Sequence, residues 1–85
     1  MDKIYKYPLY LSAGIQYVSM PEGAEIVHFS MQGDQPCMWA RVNPLAIMIQ
    51  REFWILGTGQ DISGNSKHIG TTQHGDFVWH LFEEK

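Results

Sequence analysis

The stretch Glu25-Ile26-Val27-His28-Phe29-Ser30-Met31, then Gln32-Gly33-Asp34-Gln35-Pro36, then Cys37-Met38-Trp39-Ala40-Arg41-Val42 decides the fold. Apolar and polar residues alternate in the outer two runs, and a period near two is that of a strand with one buried face. Gly33-Asp34 between them is a hairpin signal, because tight hairpin turns need a positive φ that glycine adopts without steric cost. The alternation also assigns faces. Met38, Ala40 and Val42 share one side of their strand, and Cys37, Trp39 and Arg41 share the other.

The same reading extends in both directions. Residues 3–11 form an aromatic-rich first strand, in which Pro8 lacks an N–H and so marks a sheet edge or a bulge. Ser12-Ala13-Gly14 is a turn, Ile15 to Met20 a second strand, and Met20-Pro21-Glu22-Gly23 a second turn. Strands follow at 24–31, 37–42 and 51–56, then a polar loop from Gln60 to Lys67, then His68–Gln73. After His74-Gly75-Asp76 the strand Phe77–Phe82 is apolar on both faces, with His80 and Phe82 opposite Trp79 and Leu81; that fits a central strand of the core, or a strand with one face buried in a dimer or against a partner. Residues 44–50 admit two readings. Asn43-Pro44 could open a short helix, or the segment could be a hairpin tip. The β-rich flanks and Ile47-Met48-Ile49 favour the tip. Six to seven short antiparallel strands joined by tight turns predict an all-β fold, a small antiparallel β-sandwich or partly open barrel, as one domain over residues 1–85.

Composition bounds the function. The chain is 45 % hydrophobic and 18 % charged, well below the charge of an average globular chain, so it folds and leaves some apolar surface for a second copy or a partner. A formal net charge of −3 with six Lys plus Arg does not make the basic stripe that direct nucleic-acid binding requires. The single cysteine, Cys37, suits a reducing compartment and reads as a buried, inert thiol. The N-terminal residues lack a signal-peptide core and no run is long enough for a membrane span, so the expected location is the cytoplasm.

No cluster has the spacing of a known chemistry. Gly59 and Gly64 have Walker-loop spacing, but Asn65-Ser66 stands where that loop needs Lys then Ser or Thr. His28, His68, His74 and His80 are unpaired at metal-ligand spacings, so neither a metal nor another cofactor is expected. The carboxylates fall mostly in turns and at the terminus, and no nucleophile–histidine–carboxylate pattern emerges, so the expectation is a protein that is not an enzyme. Two binding surfaces remain. One is the apolar tip Ile47, Met48 and Ile49, joined by the edge-strand aromatics Tyr5 and Tyr7 as partner anchors. The other is a pocket for a nucleotide-type ligand between protomers, built from Gly57, Thr58, Gly59, Gly70 and Thr71 with Trp54 stacking.

The ordered strings Ile4-Tyr5-Lys6-Tyr7-Pro8-Leu9, Met20-Pro21-x-Gly23-Ala24, Trp39-Ala40-x-Val42-Asn43-Pro44, Gly57-Thr58-Gly59, Ile69-Gly70-Thr71 and Phe77-Val78-Trp79-His80-x-Phe82-Glu83 span almost the whole chain. Together they resemble a family of short uncharacterised phage and prophage proteins, a domain of unknown function. In that family the segment matching 44–50 is usually more polar, so the apolar tip is a departure of this chain. The resemblance supplies no catalytic residues. It implies a phage setting, in which small proteins often block host machinery or sequester a host signalling molecule. The leading expectation is a non-enzymatic binding protein that antagonises a host defence or host enzyme by protein–protein contact, and that forms a homo-oligomer. A nucleotide-type sponge and an accessory structural phage protein are the alternatives.

Overall fold

A computed structural model describes residues 1–12 and 14–85. Among the described residues seven strands make up the regular structure: β1 (Lys3–Pro8), β2 (Gln16–Pro21), β3 (Glu25–Gln32), β4 (Gln35–Val42), β5 (Met48–Gly57), β6 (Ser66–His74) and β7 (Phe77–Glu84). All pairings are antiparallel. They form a three-stranded sheet in the order β1-β4-β3 and a four-stranded sheet in the order β2-β5-β7-β6. The expected all-β architecture is therefore the observed one. The turn expected at Ser12-Ala13-Gly14 includes Ala13, which lies outside the described residues.

Two hairpins anchor the register. Gln32 pairs with Gln35 across Gly33-Asp34, and His74 pairs with Phe77 across Gly75-Asp76. Gly33 and Gly75 have φ of +61° and +60°, and no described non-glycine residue has a positive φ. Glycine at the first central position alone defines type II′ turns, whose twist matches that of the strands they join. The Asp34 carboxylate meets His74 Nε2 at 3.1 Å, a solvent-exposed contact between the two hairpin ends.

The core lies between the sheets. Met38, Ala40 and Val42 of β4 are buried on the face their alternation assigns, opposite Met20, Phe53, Ile55 and Leu81 of the other sheet. Each large side chain buried this fully contributes roughly 1.5–3 kcal/mol. Strand β7 is central, between β5 and β6, which explains its two apolar faces. Strand β1 is an edge and ends at Pro8 rather than Leu11, because Leu9 turns inward and is buried while its N–H bonds the Pro36 carbonyl at 2.8 Å. The sheets close at one corner, where β3 packs against β6. A bulge interrupts each of these strands, between Ile26 and His28 and between His68 and Gly70. A Cβ on Gly70 would lie 3.2 Å from Phe29 Cβ, so this glycine lets the corner close.

Residues 43–47 are neither a helix nor the tip of a β4–β5 hairpin. Strands β4 and β5 belong to different sheets, and this segment carries the chain from one to the other. Alternation within each strand could not show this, because it is silent on which strand a neighbour pairs with.

Candidate functional site

The crossing segment is an apolar projection held by hydrogen bonds. Leu45 is 91 %, Ile47 70 % and Met48 58 % exposed. The Asn43 side-chain oxygen accepts from Leu45 N at 3.0 Å, and the Asn43 carbonyl accepts from Ala46 N at 3.0 Å. The Ile47 carbonyl accepts from Glu22 N at 2.7 Å, which pins the segment to the β2–β3 turn. Ile49 does not belong to this surface. It pairs with the buried Met20, and paired residues share a face, so Ile49 turns toward the core side. Leu45, the first residue of the same apolar segment, takes its place. Beside the tip lies a shallow cleft lined by Asp2, Glu22, Glu25, Arg41 and Asn43. Arg41 bonds Asp2 at 2.9 Å and stands opposite Glu25 in the register, while Glu22 lines the same cleft.

Tyr5 and Tyr7 lie on β1, the edge strand of the three-stranded sheet, and Tyr5 is 38 % exposed. Both share the inward face of β1, opposite the buried Ala40 and Met38, with ring centroids 6.4 Å apart. Tyr7 packs against the core. Burial, and then the neighbouring Tyr5, raise its phenol above the ordinary value, against the opposing pull of Arg51.

The proposed nucleotide-contact residues divide in the same way. Gly57, Thr58 and Gly59 line a groove on the outer face of the four-stranded sheet, with Leu56, His80 and Phe82. Thr71 reaches this site through His80, since its hydroxyl lies 3.0 Å from His80 Nδ1. Gly70 serves the β3/β6 corner instead. Trp54 sits beside the groove, cross-strand from Phe82, with its indole N–H donated to Glu84 Oε2 at 3.1 Å. Glu84 also accepts from Ser66 Oγ at 3.1 Å and Ser63 Oγ at 3.4 Å, and so holds the 63–66 end of the loop to β7.

Sequence reasoning missed the groove's polar chain. His80 Nε2 lies 2.9 Å from the Thr58 hydroxyl, and His68 Nε2 lies 2.9 Å from the Thr71 hydroxyl. With the Thr71–His80 contact this links Thr58, His80, Thr71 and His68 in one line. The signal was present in the hairpin. A two-residue turn at Gly75-Asp76 places Thr71 opposite His80, three positions back from each side of the turn. The line has the connectivity of a nucleophile, a base and an orienting group. The orienter is a neutral threonine, which supplies no charge to stabilise an imidazolium.

Cys37 is buried. Among the described residues, no group of three or more His, Cys, Asp or Glu is arranged to hold a metal ion. No helix of the described residues is long and apolar enough to cross a membrane.

Fold and surfaces together define a small all-β domain with two concentrated surface features, a pinned apolar tip and an outer-face groove. Residues 1–85 match the family described as Domain of unknown function (DUF7352), and the chain belongs to that family. No curated protein and no solved structure matches it.

Proposed function

We propose that this protein is a non-enzymatic binding module that docks onto a partner protein through Leu45, Ile47 and Met48. The observation that carries the reading is three large apolar side chains exposed on a segment already fixed by hydrogen bonds. A free apolar loop would lose conformational entropy on binding, whereas a pinned one has little left to lose. The neighbouring Asp2, Glu22 and Glu25 set the partner's chemistry as an apolar pocket with a basic rim. Self-association through the same patch would set these carboxylates against their own copies, which disfavours a symmetric tip-to-tip dimer. The resemblance to phage proteins makes a host enzyme or host-defence protein the partner class, and the host cytoplasm the setting.

Native mass spectrometry of the protein purified gently from host cells tests this. The expected result is a stoichiometric complex with one host protein, which Met48→Glu removes while leaving the melting temperature of the free protein unchanged. Anchors of this kind contribute 10- to 100-fold in affinity, about 1.4–2.8 kcal/mol each. A complex that survives both Met48→Glu and Ile47→Ser, or clean multiples of 9.8 kDa that these changes leave intact, would overturn the tip as the docking element.

A further inference from the structure

We propose that the groove on the outer face of the four-stranded sheet binds an uncharged heterocycle of nucleobase size, read along one edge by the Thr58 hydroxyl, which His80 orients. The site is about 230 Å³. That is room for one or two fused rings, with the rest of any larger ligand left in solvent at the open side. Its apolar lining comes from Leu56, Ile62 and Phe82. The Phe82 ring is braced edge-on by His68, with centroids 5.2 Å apart and planes at 62°, so a ring placed against it meets a fixed surface. Among the described residues no Lys, Arg, Asp or Glu lines the groove. A phosphate would find no cationic side chain there, and the ligand class is neutral.

The polar chain explains how such an edge is read. Thr71 has one hydroxyl proton and lies between two ring nitrogens, so it donates to one and accepts from the other. When it donates to His68, it accepts from the N–H at Nδ1 of His80, whose Nε2 then accepts the Thr58 proton. Thr58 is left with acceptor capacity for a ligand. When Thr71 donates to His80 instead, it accepts from the N–H at Nε2 of His68. His80 Nε2–H then donates to Thr58, and the Thr58 proton is free for a ligand acceptor. Exchange of both imidazoles to the other tautomer through solvent, with one proton given up and one taken back, thus converts Thr58 from acceptor to donor. Heterocycles that carry a ring nitrogen beside an N–H or exocyclic amine present both kinds of partner. Gln60 holds the rim in place, its side-chain oxygen accepting from Gly57 N at 2.5 Å and its own N–H donating to the Gly57 carbonyl at 3.2 Å.

The test is nuclear magnetic resonance titration of the full chain with adenosine, inosine, uridine and nicotinamide, with adenosine monophosphate alongside. At least one neutral probe should saturate at one per chain, with the shifts centred on Thr58, His80 and Phe82. Thr58→Val should weaken that probe about fivefold, the loss of one neutral hydrogen bond, without changing the melting temperature. The monophosphate should bind no more tightly than adenosine. Silence from all four neutral probes, shifts centred elsewhere, full affinity in Thr58→Val, or binding that requires the phosphate would each overturn the assignment. None of these outcomes bears on the tip, which uses other residues.

Discussion

Replacing Glu83 by Gln should destabilise the fold more than any surface charge change, because Glu83 completes a clamp between the sheets. Arg51 Nε and Nη2 bond the two Glu83 carboxylate oxygens at 2.6 and 2.7 Å, and Nη1 reaches the Ala24 carbonyl beside β3 at 2.6 Å. The guanidinium also lies 5.7 Å from the Phe53 ring centre. Side-chain exposures of 17 % and 19 % put the pair between two limits. Exposed pairs contribute about 0–1 kcal/mol, and breaking a fully buried one costs about 3–5 kcal/mol. Arg51 keeps its Ala24 bond in the variant, so the expected loss is about 2 kcal/mol. A chain of this length unfolds with roughly 180 cal/mol/K of entropy, so that loss lowers the melting temperature by about 11 °C. Calorimetry of Glu83→Gln measures it directly. The deficit should persist in high salt, since a largely buried pair is weakly screened. Arg51→Met with Glu83→Leu should recover part of it, because no charge is then left unpaired. A Glu83→Gln melting temperature within about 2 °C of the parent would refute the clamp and place the pair among ordinary surface contacts.

Two further outcomes follow from the turns and the core edge. Gly33→Val and Gly75→Val each force a branched residue into positive φ and should lower urea stability by about 1–2 kcal/mol, with Asp34→Ala near neutral; equal effects of Gly33→Val and Asp34→Ala would contradict the type II′ assignment. Because the Tyr7 phenol is raised above 10.0 in the fold, the unfolded chain ionises first. Stability is then full below pH 10.0 and declines as pH rises through the folded value, and Tyr7→Phe should remove that decline; parallel alkaline profiles would count against it.

What the sequence made legible was local. The Gly33-Asp34 and Gly75-Asp76 turns, the buried parity of Met38, Ala40 and Val42, and the edge position marked by Pro8 each depend on a few adjacent residues and elementary sterics. What it hid was non-local. Ile47, Met48 and Ile49 read as one apolar string, yet pairing with Met20 turns Ile49 inward. Gly70 beside Thr71 has the look of a ligand loop, yet its missing side chain serves Phe29 on another sheet. Thr58, His68, Thr71 and His80 come from three chain segments, and the His68 contact further depends on a bulge that brings His68 opposite Phe82. Periodicity carries no information on such bulges.

The two proposed surfaces lie at opposite ends of one strand. Met48 opens β5 and Gly57 closes it, and ten residues at about 3.3 Å each separate tip and groove by about 30 Å. Communication over that distance requires an element with two discrete arrangements that both sites bias. Strand β5 is a poor candidate, since it is paired on one side with β2 and on the other with β7, with Phe53 and Ile55 locked into the core. A register shift by one residue would expel both side chains and bring Arg51 out of reach of Glu83. The strand that positions both surfaces therefore also insulates them. Occupancy of the groove should leave the affinity of the tip unchanged, and a change at one end should be read as a change at that end alone.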